Sequence, residues 1–332
     1  MNTQLNLDTN VVSISSASMM VELSISTWSG NKLDKQASTA VTSANGAEST
    51  VARVNKSLLA TCSELKEIKT LVGEARNHIH YGLTMPWSDS GLRLLPTTLY
   101  FDYVQKMSEV ENKFYSLVDD FINNYDYEIV KAQARMGSLF NQEDYPSAES
   151  LRGKFMFSIN YMPLPTGGDF RLDIGNEAIA DLQRDYETAF TDKLETAMAD
   201  IWSRLYKALA SMSERLDYAD HDKKKVFRDS LVENVGEMID MLKACNVTGN
   251  SQMSAMADKL DYAMRGITPE ALREDSYLRD KTKKAVDDAI KQLPNLSNKP
   301  SALATLAKNT ETPYFDCAVQ ESGDVNLPSL GW

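Results

Sequence analysis

Cysteine and histidine are scarce in this chain, with three of each in 332 residues. Cys62, Cys245 and Cys317 lie far apart and match no metal-ligand spacing, so they read as reduced thiols of a cytosolic protein. His78, His80 and His221 give no triad by spacing, and no Ser, Cys or Thr sits in a strand-to-helix elbow. Basic residues are also short, 35 against 47 acidic ones, for a net charge of -12. That balance opposes sequence-independent nucleic-acid binding, which draws its affinity from Lys and Arg on phosphates. No apolar run approaches the roughly 18 residues of a membrane span, and no basic-then-apolar start resembles a signal peptide. The expectation is a cytoplasmic protein without a membrane segment, and Asn246-Val247-Thr248 is then a chance sequon.

What is present is enough apolar sequence for a core, 42% hydrophobic with 25% charged. The polar start predicts a disordered segment over 1–19, with translation from Met19 or Met20 as an alternative start. Val21 to Trp28 alternates like a half-buried strand. From Leu33 to about Arg76, Leu58, Ala60/Thr61, Leu65, Ile68 and Leu71/Val72 recur every three or four positions and predict one amphipathic helix, interrupted near Asn45-Gly46. His78 to Pro96 reads as a long ordered loop carrying Tyr81 and Trp87. A second long helix is predicted from Thr97 or Thr98 to Met136, ended by Gly137. Its stripe of Tyr100, Val104, Met107, Phe114, Val118, Phe121 and Tyr125 is broken only by Glu111, where an apolar residue was due.

Asn141 to Asp173 is an island of β-type sequence. Ser147 can cap a short helix, and Lys154 to Leu164 alternates with Phe155, Phe157, Ile159 and Tyr161 on one face. Phe170 to Ile174 alternates again across a Gly167-Gly168 turn, which predicts an antiparallel hairpin, with Val21 to Trp28 as a third strand. Apolar positions from Ile179 to Leu216 recur at a mean of 3.7 residues, the period of a nearly straight helix capped by Asn176. Further helices are expected over Lys223 to Ala244, Ser251 to Arg265 and Pro269 to about Leu293, the last opened by Thr268 and a first-turn proline. The predicted fold is mainly α: long antiparallel amphipathic helices with a small antiparallel β element. One helical domain spans 20–293, with a β insertion at about 154–174 and an irregular tail over 294–332. A monomeric bundle and a homo-oligomer exchanging helices both fit.

Candidate chemistry is thin. His78-x-His80 places two imidazoles on one side of an extended segment, a weak metal candidate that needs His221 or an acid such as Asp89. Ordinary hydrogen-bonded histidines are the plainer reading. Asp119-Asp120 and Asp287-Asp288 lie on helices, where adjacent side chains point about 100° apart and cannot share a proton. Lys223-Lys224-Lys225 is balanced by Asp220 and Asp222. No catalytic or cofactor-binding residue and no cofactor is expected. Aromatic residues in the loop and the hairpin, namely Tyr81, Trp87, Phe155, Phe157 and Phe170, are the candidate partner-binding set.

Three segments together carry a resemblance. They are Trp28-Ser29-Gly30-Asn31-Lys32-Leu33-Asp34; Leu83 to Trp87 with Gly91 to Pro96; and Asp144-Tyr145-Pro146 through Phe155 to Leu172. Over Met20 to about Gly249 the chain resembles a family of uncharacterised proteins of bacteriophages and integrative mobile elements. Members of that family tend to be encoded near MoxR-like AAA+ ATPases and proteins with von Willebrand factor A domains. The resemblance implies a non-enzymatic accessory protein acting by protein–protein contact in the bacterial cytoplasm, with such an ATPase as partner. Three alternatives are an acidic decoy for a host defence or DNA-processing protein, an enzyme with an unrecognised site, and a structural virion protein.

Overall fold

Nine residues from Ser18 to Ser26, with the neighbours Met20 and Val21 both buried, build the strand around which the other layers are arranged. In the computed structural model residues 11–165, 176–217 and 229–294 are described. The first half runs α1 (Val11–Ala17), β1 (Ser18–Ser26), β2 (Asn31–Asp34), α2 (Lys35–Ala44), β3 (Val54–Ser57) and α3 (Ser63–Glu74). After a π-helical turn over Ala75–His80 come α4 (Tyr81–Leu83), β4 (Met85–Pro86), β5 (Arg93–Pro96) and α5 (Tyr100–Met136). Then follow α6 (Ala148–Arg152), β6 (Met156–Pro163), α7 (Asn176–Leu216), α8 (Ser230–Ala244), α9 (Ser251–Met264), α10 (Pro269–Glu274) and α11 (Ser276–Ile290). The fold is mainly helical, with a four-stranded antiparallel sheet of order β4-β5-β1-β6 and a separate β2–β3 pair.

Strand alternation makes that sheet a middle layer. Val21, Ile25, Leu95, Phe155 and Phe157 join α3 and α5 in one apolar cluster on one face. Met20, Leu94 and Met85 occupy the alternate positions, are opposite one another in register, and are buried as well. They belong to the other face, where α7 packs on β4. Each large side chain enclosed this way contributes about 1.5–3 kcal/mol.

α5 buries Tyr103, Met107, Val110, Phe114, Val118, Phe121 and Tyr125 at helical spacing and stops at Gly137, whose φ of 52° ends it. Near its start the inward line runs through Tyr103 and Val110, so Val104 and Glu111 sit half-exposed beside the expected stripe. In α7 the fully enclosed part begins at Phe190 and continues through Leu194, Ile201, Trp202, Leu205 and Leu209 to Leu216, against α8 and α11. β1 pairs with β6 over eight residues, as the alternation of both segments predicted. Ser147 caps α6 through Ser150 N, and Thr268 caps α10 ahead of Pro269.

Several expectations are corrected. Order begins well before Met20: α1 and β1 occupy Val11 onward, and Ile14 is buried. Leu33 to Arg76 is not one helix. Gly30 turns the chain at φ 68°, Asp34 caps α2 by accepting from Ala37 N at 2.9 Å, and β3 returns to pair with β2. The break at Asn45-Gly46 is present, with Gly46 at φ 60°. His78 to Pro96 is a π turn, a short helix and a hairpin rather than a loop. Trp87 N and Ser88 N both donate to Leu92 O, and Gly91 takes φ 95°. Pro269 to Leu293 divides at Asp275, whose carboxylate caps α11 by accepting from Leu278 N at 3.0 Å. Phe170 to Ile174, Gly167-Gly168, His221, Lys223 to Lys225, Cys317 and the tail lie outside the described residues.

Candidate functional site

A polar network lies where the π turn meets the β4 edge. His80 is enclosed, with Nδ1 2.8 Å from the Tyr103 hydroxyl on α5. The Thr84 hydroxyl donates to His80 O. Arg93 donates to Thr84 Oγ1 at 2.6 Å and to Thr84 O at 3.0 Å, with its guanidinium 4.8 Å from the Tyr81 ring centre. From α7, Arg204 donates to Tyr81 O at 2.7 Å, Gly82 O at 3.2 Å and Thr84 O at 3.0 Å, and Asp200 holds it at 2.5 Å. Burial, with Arg93 adding repulsion, pushes the His80 pKa down to about 3. Burial and the neighbouring Arg204 bring Arg93 down to about 10.

This network ties the backbone of the π turn and α4 to three layers. Five of its hydrogen bonds end on main-chain oxygens, those of His80, Tyr81, Gly82 and, twice, Thr84. His78 and His80 belong to a helical turn, where residues two apart point to different sides, so the shared-face argument for a metal fails. Among the described residues no group of three or more His, Cys, Asp or Glu converges as a metal site.

The candidate partner-binding aromatics separate by burial. Trp87 is 8% exposed, edge-on to Phe190 at 5.3 Å, with Lys193 over its ring at 5.9 Å. Phe155 and Phe157 are buried against Phe114, with ring centres at 6.4 and 5.7 Å. These three are core residues, a correction with one cause: turns and hairpins in this chain wrap the core, so a loop-like local sequence did not mean exposure. Phe170 lies outside the described residues, and of the four described members Tyr81 alone is exposed, at 45%.

A different aromatic group reaches the surface. At the start of α5 the Phe101 side chain is 82% exposed. Its ring centre lies 5.3 Å from Tyr100, which lies 5.7 Å from Tyr161 on β6, both edge to face. Tyr161 is 40% exposed and leans on the buried Tyr103 at 6.4 Å. Burial, then Tyr100 and Glu111, raise the Tyr161 pKa. Glu111, about 16 Å further along the α5 axis than Tyr100, is half-exposed. The sequence signal was Phe101 lying off the helical stripe, which drew no notice beside the aromatic residues of the loop and hairpin.

One small cavity lies elsewhere, between Ser57–Thr61 and Glu128, Ala132, Arg135 and Met136, with a volume of about 40 Å³. That volume is room for a water or two and not for a substrate. The buried Glu128 beside it is ion-paired to Lys131 at 2.5 Å. Compared with models of protein families, with curated proteins and with solved structures, the chain matches none.

Proposed function

We propose that this chain acts by binding another protein, and that the corner formed by Tyr100, Phe101 and Tyr161 is its contact surface. The observation that carries this reading is Phe101, a large apolar side chain 82% exposed yet part of an ordered ring cluster anchored to a fully buried tyrosine. A single exposed apolar residue is ordinary, but a cluster of rings held rigid at the surface is the composition of interface anchors. The partner class that the resemblance points to is a MoxR-like AAA+ ATPase, for which the chain would serve as an accessory or adaptor in the host bacterial cytoplasm.

The test is affinity capture of the tagged full chain from its native cells at low and high salt, comparing wild type with Phe101→Ala. A partner held at both salts and lost with Phe101→Ala supports the reading, given unchanged circular dichroism and melting temperature. A nuclease or DNA-binding protein recovered only at low salt favours the acidic decoy, whose attraction is screened. A partner kept in full by the variant removes the corner from the contact.

A further inference from the structure

Arg93 carries a guanidinium with five N–H groups, of which the protein uses two. Nε donates to Thr84 Oγ1 at 2.6 Å and Nη2 to Thr84 O at 3.0 Å, so one edge of the fork is fixed on Thr84. The Tyr81 ring, 45% exposed, lies with its centre 4.8 Å from the guanidinium carbon. The remaining edge, Nη1 with the second hydrogen of Nη2, meets no acceptor among the described residues, and Nη1 is not enclosed but reaches solvent. This cation also has no anion of its own. Among the described residues Arg93 forms no ion pair, and the one carboxylate of the network, Asp200, is taken by Arg204. Arg93 and Arg204 each donate to Thr84 O at 3.0 Å, so two guanidinium groups converge on one carbonyl with a single carboxylate between them.

We infer that the free edge of Arg93 is a binding site for a small oxyanion, a phosphate or a carboxylate, received end-on by Nη1 and Nη2 beside Tyr81. The inference stands apart from the protein-contact reading and does not depend on it. A guanidinium edge presents two parallel N–H donors, whose spacing matches two oxygens of one carboxylate or phosphate group. A spherical halide offers one centre and cannot satisfy both donors in line. Thr84 already fixes the plane of the fork, so little side-chain freedom is lost on binding. A half-buried charge without a counterion gains more from an oxyanion than a fully hydrated surface arginine would, because less water screens the pair. Charge and geometry therefore select the same class of ligand.

The experiment titrates the full chain, labelled with nitrogen-15 arginine, with sodium phosphate and separately with sodium acetate, against sodium chloride at matched ionic strength. The Arg93 Nε–H resonance is assigned by its absence from Arg93→Lys. Should that variant not fold, the same resonance is the one displaced by Tyr81→Leu, which removes the ring beside it. It should shift and saturate with an oxyanion and stay still with chloride. Saturation with phosphate alone identifies a phosphate ligand, and saturation with acetate identifies a carboxylate. Asp200→Asn removes the negative charge that competes with the ligand and should tighten binding about fivefold. Arg152→Gln, which breaks a surface ion pair with Asp119, should leave the affinity unchanged. A shift that grows without saturating, an equal shift with chloride, no shift with either oxyanion, or an unaltered affinity in Asp200→Asn overturns the inference.

Discussion

Burial fixes the protonation state of His80, and that gives a residue-scale prediction with a definite sign. Its folded pKa lies near 3 against an ordinary 6.5. Below pH 6.5 the unfolded chain takes up a proton at this position that the folded chain refuses, so stability falls as pH drops, by about 1.4 kcal/mol per unit. The loss ends near pH 3, where the folded histidine itself titrates. Urea melts at pH 7 and pH 5 should therefore show a fall up to about 2 kcal/mol larger in wild type than in His80→Gln. Equal falls in the two proteins would place the titration elsewhere. Trp202 gives a second prediction at this scale. It is 1% exposed, and its indole N–H has no hydrogen-bond partner. Trp202→Phe keeps most of the buried area and relieves an unpaired donor, so it should change stability by about 1 kcal/mol or less, whereas Trp202→Ala should cost about 3–5 kcal/mol. A loss of 3 kcal/mol in Trp202→Phe would show that the indole is paired after all.

At the scale of elements, the β2–β3 pair is bound to the segment after α5 by charge. Asp144 takes Lys32 at 2.6 Å and Lys56 at 2.6 Å, and Lys56 also donates to Leu139 O at 3.0 Å. Hydrogen bonds from Lys32 and Lys56 hold the Asp144 pKa below its ordinary 3.8, so the tie is complete above that pH and is lost as pH falls through the lower folded value. Asp144→Asn should cost about 1–2 kcal/mol at pH 7 and nothing additional at strongly acid pH, read from urea midpoints; a pH-independent cost would remove the charge from the argument. The same junction shows what the sequence disclosed. Trp28, Lys32 and Asp34 of one motif meet Tyr125 of α5, Lys56 of β3 and Asp144 of another motif: Trp28 lies 6.2 Å from Tyr125, Lys32 and Lys56 pair with Asp144, Lys56 also reaches Asp34, and the Tyr145 hydroxyl donates to Leu58 O at 3.0 Å. The motifs that carried the resemblance thus hold elements together. Long helices were legible because α5 and α7 repeat one period over 37 and 41 residues. The four-residue β2 and β3 were not, since so short a strand has no period to detect and depends on its partner. Phe155 and Phe157 were placed on the right face of the right strand, but whether that face met water or α5 was a tertiary fact.

For the whole molecule, the position of the sheet decides how the chain unfolds. Were the α5 cluster and the α7 helices separate cores joined by a linker, each could melt alone, as chains of this length often do. Here Val21 and Leu95 serve one side of the sheet while Met20 and Leu94, their neighbours in sequence, serve the other. Arg204 of α7 holds three carbonyls in α4 and the residue after it, and Arg93 of β5 donates to one of the same three, Thr84 O. Removing either side would expose one face of β1 and leave buried donors without acceptors, so half of the structure is not a stable state by itself. Trp28 reports the α5 side and Trp202 the α7 side. Variants keeping only one of these two tryptophans, with the other indoles replaced by phenylalanine, should give urea transitions with the same midpoint and the same slope within error. Phe114→Ala, on the α5 side alone, should shift the Trp202 transition as far as the Trp28 transition, by about 3–5 kcal/mol in stability. If the Trp202 signal held its midpoint while the Trp28 signal moved, the sheet would be a boundary between two independent units and not their shared layer.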